Sequence, residues 1–224
     1  SLVFVIHGIK YSVLLVVFLA FLDFASKAMS HFRECRRLHE KSNIMVLYDN
    51  ATQIKSTHYD ARPNADDVSL LVIHNISLPP GEFATSGIRD LFTGQLNPHA
   101  HPFFKEIAHI RVSAHCVIYR TGVIEQFVPF DARAWHAGIS SFQGRQRCND
   151  YSIGIELEGT DTLPYTDAQY LALENLSKFI ILRYPRITIG RIVGHNDIAP
   201  GRKTDPGYEF DWPRFRQSLF TVEP

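Results

Sequence analysis

Two histidines, His74 and His195, each follow a short apolar run, and an aspartate, Asp205, lies in the loop after the second. Two neutral imidazoles and a carboxylate can hold zinc and leave a fourth tetrahedral position open, the pattern of a catalytic rather than a structural site. Spacing alone makes this a weak signal, because the chain has 11 histidines and Asp197, two residues after His195, competes with Asp205 for the carboxylate position. Glu156 and Glu158 also lie two residues apart, in the run Ser152-Ile-Gly-Ile-Glu-Leu-Glu158. Strand alternation puts both on one face, where either could act as general base and acid toward a water activated at such a centre. If the loop carrying Lys203 is extended, its ammonium faces the same centre as Asp205 and offsets charge on a tetrahedral oxyanion. His115 and His136 are open: either could line a pocket or satisfy backbone groups.

These residues need elements to position them. Leu70 to Ile73 reads as a buried strand ending in His74-Asn75. A long connection follows with Pro79-Pro80-Gly81, Gly94, Pro98 and Pro102. It has room for short helices around Ile88 to Phe92 and Phe103 to Ile107, and is long enough to wall a cleft and shape substrate choice. Val112 to Tyr119 and Val123 to Val128 flank Arg120-Thr121-Gly122 and read as a hairpin. In Ser152 to Glu158, Ile153, Ile155 and Leu157 point one way and Ser152, Glu156 and Glu158 the other. Thr166 with Gln169 forms a capping box for a helix whose apolar positions Tyr170, Leu173, Leu176 and Ile180 recur until Pro185. A strand near Ile189 to Val193 leads into Gly194-His195, and Asp211-Trp212-Pro213 caps a terminal helix. The expected class is α/β, a central mixed β-sheet flanked by helices.

Composition narrows the possibilities. With 224 residues, 45% apolar and 21% charged, the chain can bury a full core. Lysine plus arginine equals aspartate plus glutamate at 23 each, so no bulk field draws it to nucleic acid or an anionic membrane. Cys35, Cys116 and Cys148 have no metal-type spacing and fit small buried, reduced thiols. Val13 to Leu22 is uninterrupted apolar sequence between Lys10 and Asp23, followed by Lys27, Arg33, Arg36, Arg37 and Lys41. That run is shorter than the roughly 20 residues of a clean bilayer span. Residues 1–44 therefore read as an extension: translated sequence upstream of a native start at Met29 or Met45, an anchor or a signal. Membrane contact is expected only if residues 1–24 are native, in which case the downstream charge keeps the body in the cytoplasm. Residues 45–224 read as the catalytic domain.

Five motifs occur in order from about residue 45 onward: Leu-Val-Ile-His74-Asn75-Ile-Ser-Leu-Pro-Pro-Gly-Glu-Phe, Arg-Val-Ser-Ala-His115, Ala-Trp135-His136-Ala-Gly, Ile-Gly-Ile-Glu156-Leu-Glu-Gly and Gly-His195-Asn-Asp-Ile-Ala-Pro-Gly-Arg-Lys203-Thr-Asp205-Pro-Gly. Together they resemble the AmpD-type anhydro-N-acetylmuramyl-L-alanine amidases of bacteria, within the family that includes phage lysozyme-type amidases and peptidoglycan recognition proteins. The resemblance implies one zinc ion per chain on His74, His195 and Asp205, with Glu156 as the acid/base and Lys203 stabilising the transition state. It implies cytoplasmic hydrolysis of soluble anhydro-muropeptides in peptidoglycan recycling. An exported amidase acting on peptidoglycan and a non-catalytic muropeptide-binding module are the alternatives. Asn75, Arg111, Trp135 and Arg147 are candidate substrate contacts, arginine being suited to bidentate carboxylate binding. No nucleotide, second metal or obligatory protein partner is implied.

Overall fold

The computed structural model describes residues 45–220. The expectations for the extension, including the apolar run and Cys35, lie outside the described residues. Among the described residues no helix is long and apolar enough to cross a membrane.

The strands are β1 (Thr52–Gln53), β2 (Tyr59–Ala61), β3 (Leu70–Ile76), β4 (Cys116–Ile118), β5 (Ile124–Gln126), β6 (Ala132–Ala134), β7 (Ser141–Phe142), β8 (Arg145–Gln146), β9 (Ser152–Glu158) and β10 (Ile192–Gly194). The helices are α1 (Gly87–Thr93), α2 (Phe104–Ile107), α3 (Asp167–Arg183), α4 (His195–Ile198) and α5 (Trp212–Ser218). Six strands make a mixed sheet in the order β1-β5-β4-β9-β3-β10. Only the β4–β5 hairpin is antiparallel within it. The two seven-residue strands β3 and β9 lie side by side at its centre. Their parallel register pairs Leu70 with Ser152 and, four residues on, His74 with Glu156.

One face of this sheet is closed by α3. Its capping box forms as expected, with Thr166 accepting from the Gln169 N–H and the Gln169 side chain accepting from the Thr166 N–H. Tyr170, Leu173, Leu176 and Ile180 pack on Leu71, Ile73, Ile153, Ile155 and Leu157. Truncating one such side chain, as in Leu173→Ala, costs about 2–5 kcal/mol. The helix ends at Arg183, just before Pro185, which has no N–H to continue the ladder. The opposite face carries Leu70, Val72 and Val193 against Ala137, Cys148, Tyr151 and Ile198. Further along it, Ile88, Leu91, Phe92 and Phe104 of α1 and α2 pack on Val117, Phe127 and Val128. The long connection therefore has an apolar core of its own. The polar positions of β9 fall on this second side.

Three expectations are corrected. The strand read from Leu70 to Ile73 continues to Ile76, so His74 sits inside it rather than at its end. The strand expected over Val112 to Tyr119 is confined to Cys116–Ile118. Upstream of it Ser113 gives its N–H to the Trp135 carbonyl and its hydroxyl to the His58 carbonyl, so this stretch bonds to other segments instead of the ladder. Ile189–Arg191 is a 3-10 turn, closed by the Arg191 N–H on the Thr188 carbonyl, and the strand starts only at Ile192. The hairpin turn does use Gly122, at φ 83°, a left-handed conformation that glycine adopts without steric cost.

Candidate metal centre

His74 is fixed by β3, His195 is the first residue of α4 directly after β10, and Asp205 comes from the loop beyond α4. The loop is turned rather than extended, because the N–H groups of Arg202 and Lys203 both point at the Ala199 carbonyl. It folds back far enough for the Asn196 N–H to donate to the Asp205 carbonyl at 3.0 Å. Three ligand atoms thereby converge. His74 Nδ1 lies 3.0 Å from His195 Nδ1 and 3.1 Å from Asp205 Oδ2, and His195 Nδ1 lies 3.0 Å from the same oxygen. The two histidine side chains are buried and the aspartate is 13% exposed.

The far nitrogens indicate what this triangle is for. His195 Nε2 is 3.1 Å from the Ala137 carbonyl, an acceptor only, so it carries the proton and leaves Nδ1 with its lone pair toward the triangle. A second imidazole and a carboxylate point at the same spot, and a shared cation satisfies all three. The spacings are close to the roughly 3.3 Å edge of a tetrahedron with zinc bonds of about 2.0–2.1 Å, so these residues fit zinc. Electrostatics favour the ligand forms. Burial pulls His74 down to about 4, which keeps it neutral. For Asp205, burial acts to raise the carboxyl and the contacts with His195 and His74 outweigh it, holding it well below the usual carboxylate range.

Glu156 stands beside His74 in the sheet. It is buried and its Oε2 has no hydrogen-bond partner. Burial first, then repulsion from Asp205, pushes its carboxyl well above the ordinary value, while the Lys203 charge works against both. The same ammonium also acts on His74, so Lys203 reaches this corner electrostatically although its loop is not extended. The two rival acids are engaged elsewhere. Asp197 accepts the Gly194 N–H at 2.8 Å and so caps α4. Glu158 accepts the Ala84 N–H at 2.7 Å and the Arg120 N–H at 3.0 Å.

The four candidate substrate contacts have their partners outside the triangle. Asn75 alternates to the other face of β3 from His74, and its amide donates to Asp161 at 2.8 Å. Trp135 donates its indole N–H to Asp60 and stacks on His58, with Arg111 over its ring at 5.9 Å. Arg147 is 73% exposed, pairs with Asp150 at 3.2 Å and has a left-handed backbone at φ 61°. His136, open in the sequence between lining a pocket and satisfying backbone groups, lies against His74, and Ala137 and Asn149, to which the sequence gives no role, join it. His136 Nδ1 lies 2.9 Å from His74 Nε2, and its own Nε2 lies 3.0 Å from Ser152 Oγ. The one signal available was that Ser152 shares the alternating face of Glu156. His115 sits deeper, its Nδ1 accepting the Gly154 N–H.

Comparison with known proteins agrees with this geometry. The family model described as N-acetylmuramoyl-L-alanine amidase matches residues 64–208. A curated relative from Salmonella typhimurium strain SL1344, named 1,6-anhydro-N-acetylmuramyl-L-alanine amidase AmpD, is 64% identical over 166 residues, covering 74% of this chain and 88% of its own. The crystal structure of a selenomethionine AmpD derivative superposes with a TM-score of 0.76 at 59% identity, over 79% of this chain and 99% of that one. The amidase AmiD from E. coli, solved with the substrate anhydro-N-acetylmuramic acid-L-Ala-D-gamma-Glu-L-Lys, superposes with a TM-score of 0.52 at 32% identity, over 71% of this chain and 60% of that one. With the family model spanning five of the six strands of the sheet and all three residues of the triangle, the chain belongs to the N-acetylmuramoyl-L-alanine amidase family, hydrolases of an amide bond.

Proposed function

We propose that this chain is a zinc-dependent amidase that cuts the bond between 1,6-anhydro-N-acetylmuramic acid and L-alanine in cytoplasmic peptidoglycan recycling. The observation that carries the zinc chemistry is the triangle of His74 Nδ1, His195 Nδ1 and Asp205 Oδ2 beside a buried carboxyl with an unpartnered oxygen. The substrate follows the names of the relatives of high identity.

Bound by these three residues, zinc supplies Lewis acidity, polarising the scissile carbonyl and making water nucleophilic near neutral pH. Glu156 accepts a proton from the attacking water and returns it to the alanine nitrogen as the carbon–nitrogen bond breaks. Its free Oε2 leaves a lone pair for that proton. Lys203 favours the ionised form of Glu156 and offsets charge on the tetrahedral oxygen. In this reading Arg111 and Arg147 are the groups suited by their chemistry to substrate carboxylates, and Asn75 and Trp135 to sugar and lactyl groups. The segment 79–108 contributes to substrate choice.

The test is release of L-alanyl peptide from anhydro-muropeptide before and after chelation. Activity should be lost on chelation and return with one equivalent of zinc; turnover indifferent to chelators overturns the metal mechanism. Intact sacculi assayed in parallel should be poor substrates, and a preference for them would make the enzyme an exported amidase instead.

A further inference from the structure

A metal-binding imidazole must present a bare nitrogen to the ion, so whatever touches its other nitrogen decides whether it is ready. For His195 that partner is the Ala137 carbonyl. For His74 it is the neighbouring side chain, His136. If His136 Nδ1 accepts, His74 carries its proton on Nε2 and its Nδ1 is free. If the pair is reversed, the proton on His74 Nδ1 points into the triangle and blocks it. Ser152 Oγ, at the other end of the His136 ring, can accept from Nε2 and so permits the first arrangement.

The dipeptide is itself held in place. Asn149 Oδ1 accepts both the His136 N–H, at 3.1 Å, and the Ala137 N–H, at 2.8 Å. Arg202 also donates to the Ala137 carbonyl, at 2.7 Å. The sheet also makes room for the ring. A Cβ on Gly154 would fall 2.4 Å from His136 Cγ, so only glycine lets the imidazole lie across β9 and reach His74. His136 is buried among these contacts, only 9% exposed.

We infer that His136 and Ala137, pinned by Asn149, form one brace that sets the tautomer of both metal-binding histidines, His136 being a positioning residue for His74. The inference rests on the zinc reading above. The experiment is zinc affinity of the full chain, by competition with a chromophoric chelator, together with nitrogen-15 NMR of the imidazoles in the metal-free protein.

His136→Phe keeps a ring of similar size without nitrogens. It should weaken zinc binding by about 10–100-fold and leave His74 divided between tautomers, where the wild type holds its proton on Nε2. His136→Asn, whose amide oxygen can occupy the Nδ1 position, should restore most of both. His136→Gln, which carries its polar atoms past that position, should fall with the phenylalanine variant and stands in for it if that variant does not fold. Zinc binding and a His74 tautomer unchanged in His136→Phe or His136→Gln, or an asparagine variant as weak as these, overturn the brace. A wild type that binds no zinc overturns the zinc reading instead.

Discussion

Glu156 and Glu158 leave β9 from the same face, two residues apart, and both are buried, yet the two ends of that face are built differently. At the outer end, Glu158 spends one oxygen on the Ala84 N–H and the other on the Arg120 N–H. It thereby ties the long connection after β3 to the β4–β5 turn, where Arg120 also lies over the Phe83 ring at 5.4 Å. At the inner end, Glu156 keeps an oxygen with no partner, next to His74 and within the field of Asp205 and Lys203. The same contrast separates Asp197, used up in capping α4, from Asp205 in the triangle. Acids whose lone pairs are filled by backbone N–H groups build the fold, and an unfilled lone pair in a buried corner is available for chemistry.

The sharpest way to break this comparison is to exchange the two glutamates' fates. Glu156→Gln should lower turnover by about 10²–10⁴-fold while zinc content and melting temperature stay near wild type. An active variant would transfer the acid/base role to another group. Asp205→Asn should weaken zinc binding by more than the roughly 100-fold upper range of outer-shell partners. Asp197→Ala, by contrast, should retain zinc and lose about 1 kcal/mol of stability in denaturant unfolding, the usual cost of a lost helix cap. Equal zinc loss in both would end the distinction between the two aspartates.

At the structural end, Glu158→Ala leaves two backbone N–H groups without their acceptor. Each should cost about 1–3 kcal/mol if it stays buried, read by urea unfolding, with turnover on anhydro-muropeptide affected less than in Glu156→Gln. The inner corner should in turn be the acid-sensitive region of the metal-free protein. Burial is the first cause that lowers His74, His115 and His136, the first to about 4 and the other two well below 6.5. The folded protein therefore keeps them neutral while the unfolded chain takes up protons. Their contribution is fully present above about pH 6.5 and is lost as pH falls from there toward the folded values, at up to about 1.4 kcal/mol per pH unit for each histidine. Unfolding curves of metal-free protein at pH 7.5 and 5.5 measure this, and identical stabilities would contradict it.

Much of the frame was legible because it rests on local pattern. The Thr166–Gln169 cap, the apolar stripe of α3, the alternation of β9 and the turn at Gly122 each follow from a few consecutive side chains and the period of the element that carries them. Boundaries were harder. Ser113 hands its hydrogen bonds to Trp135 and His58, which no local pattern announces, and so the strand predicted from Val112 begins only at Cys116.

What the sequence determined by itself is the set of residue types and their order: two histidines, competing aspartates and a pair of glutamates on one strand face. The ordered motifs, by their resemblance to a family, singled out Asp205 and Glu156 from those competitors. The tertiary structure alone decided the company each keeps. Parallel register puts Glu156 beside His74, a turned loop returns Asp205 to His195, and a glycine on β9 lets the His136 ring pass across the sheet to His74. Partners separated by tens of residues are set by packing and long-range hydrogen bonds, and periodicity, which reads only neighbours, carries no information about them.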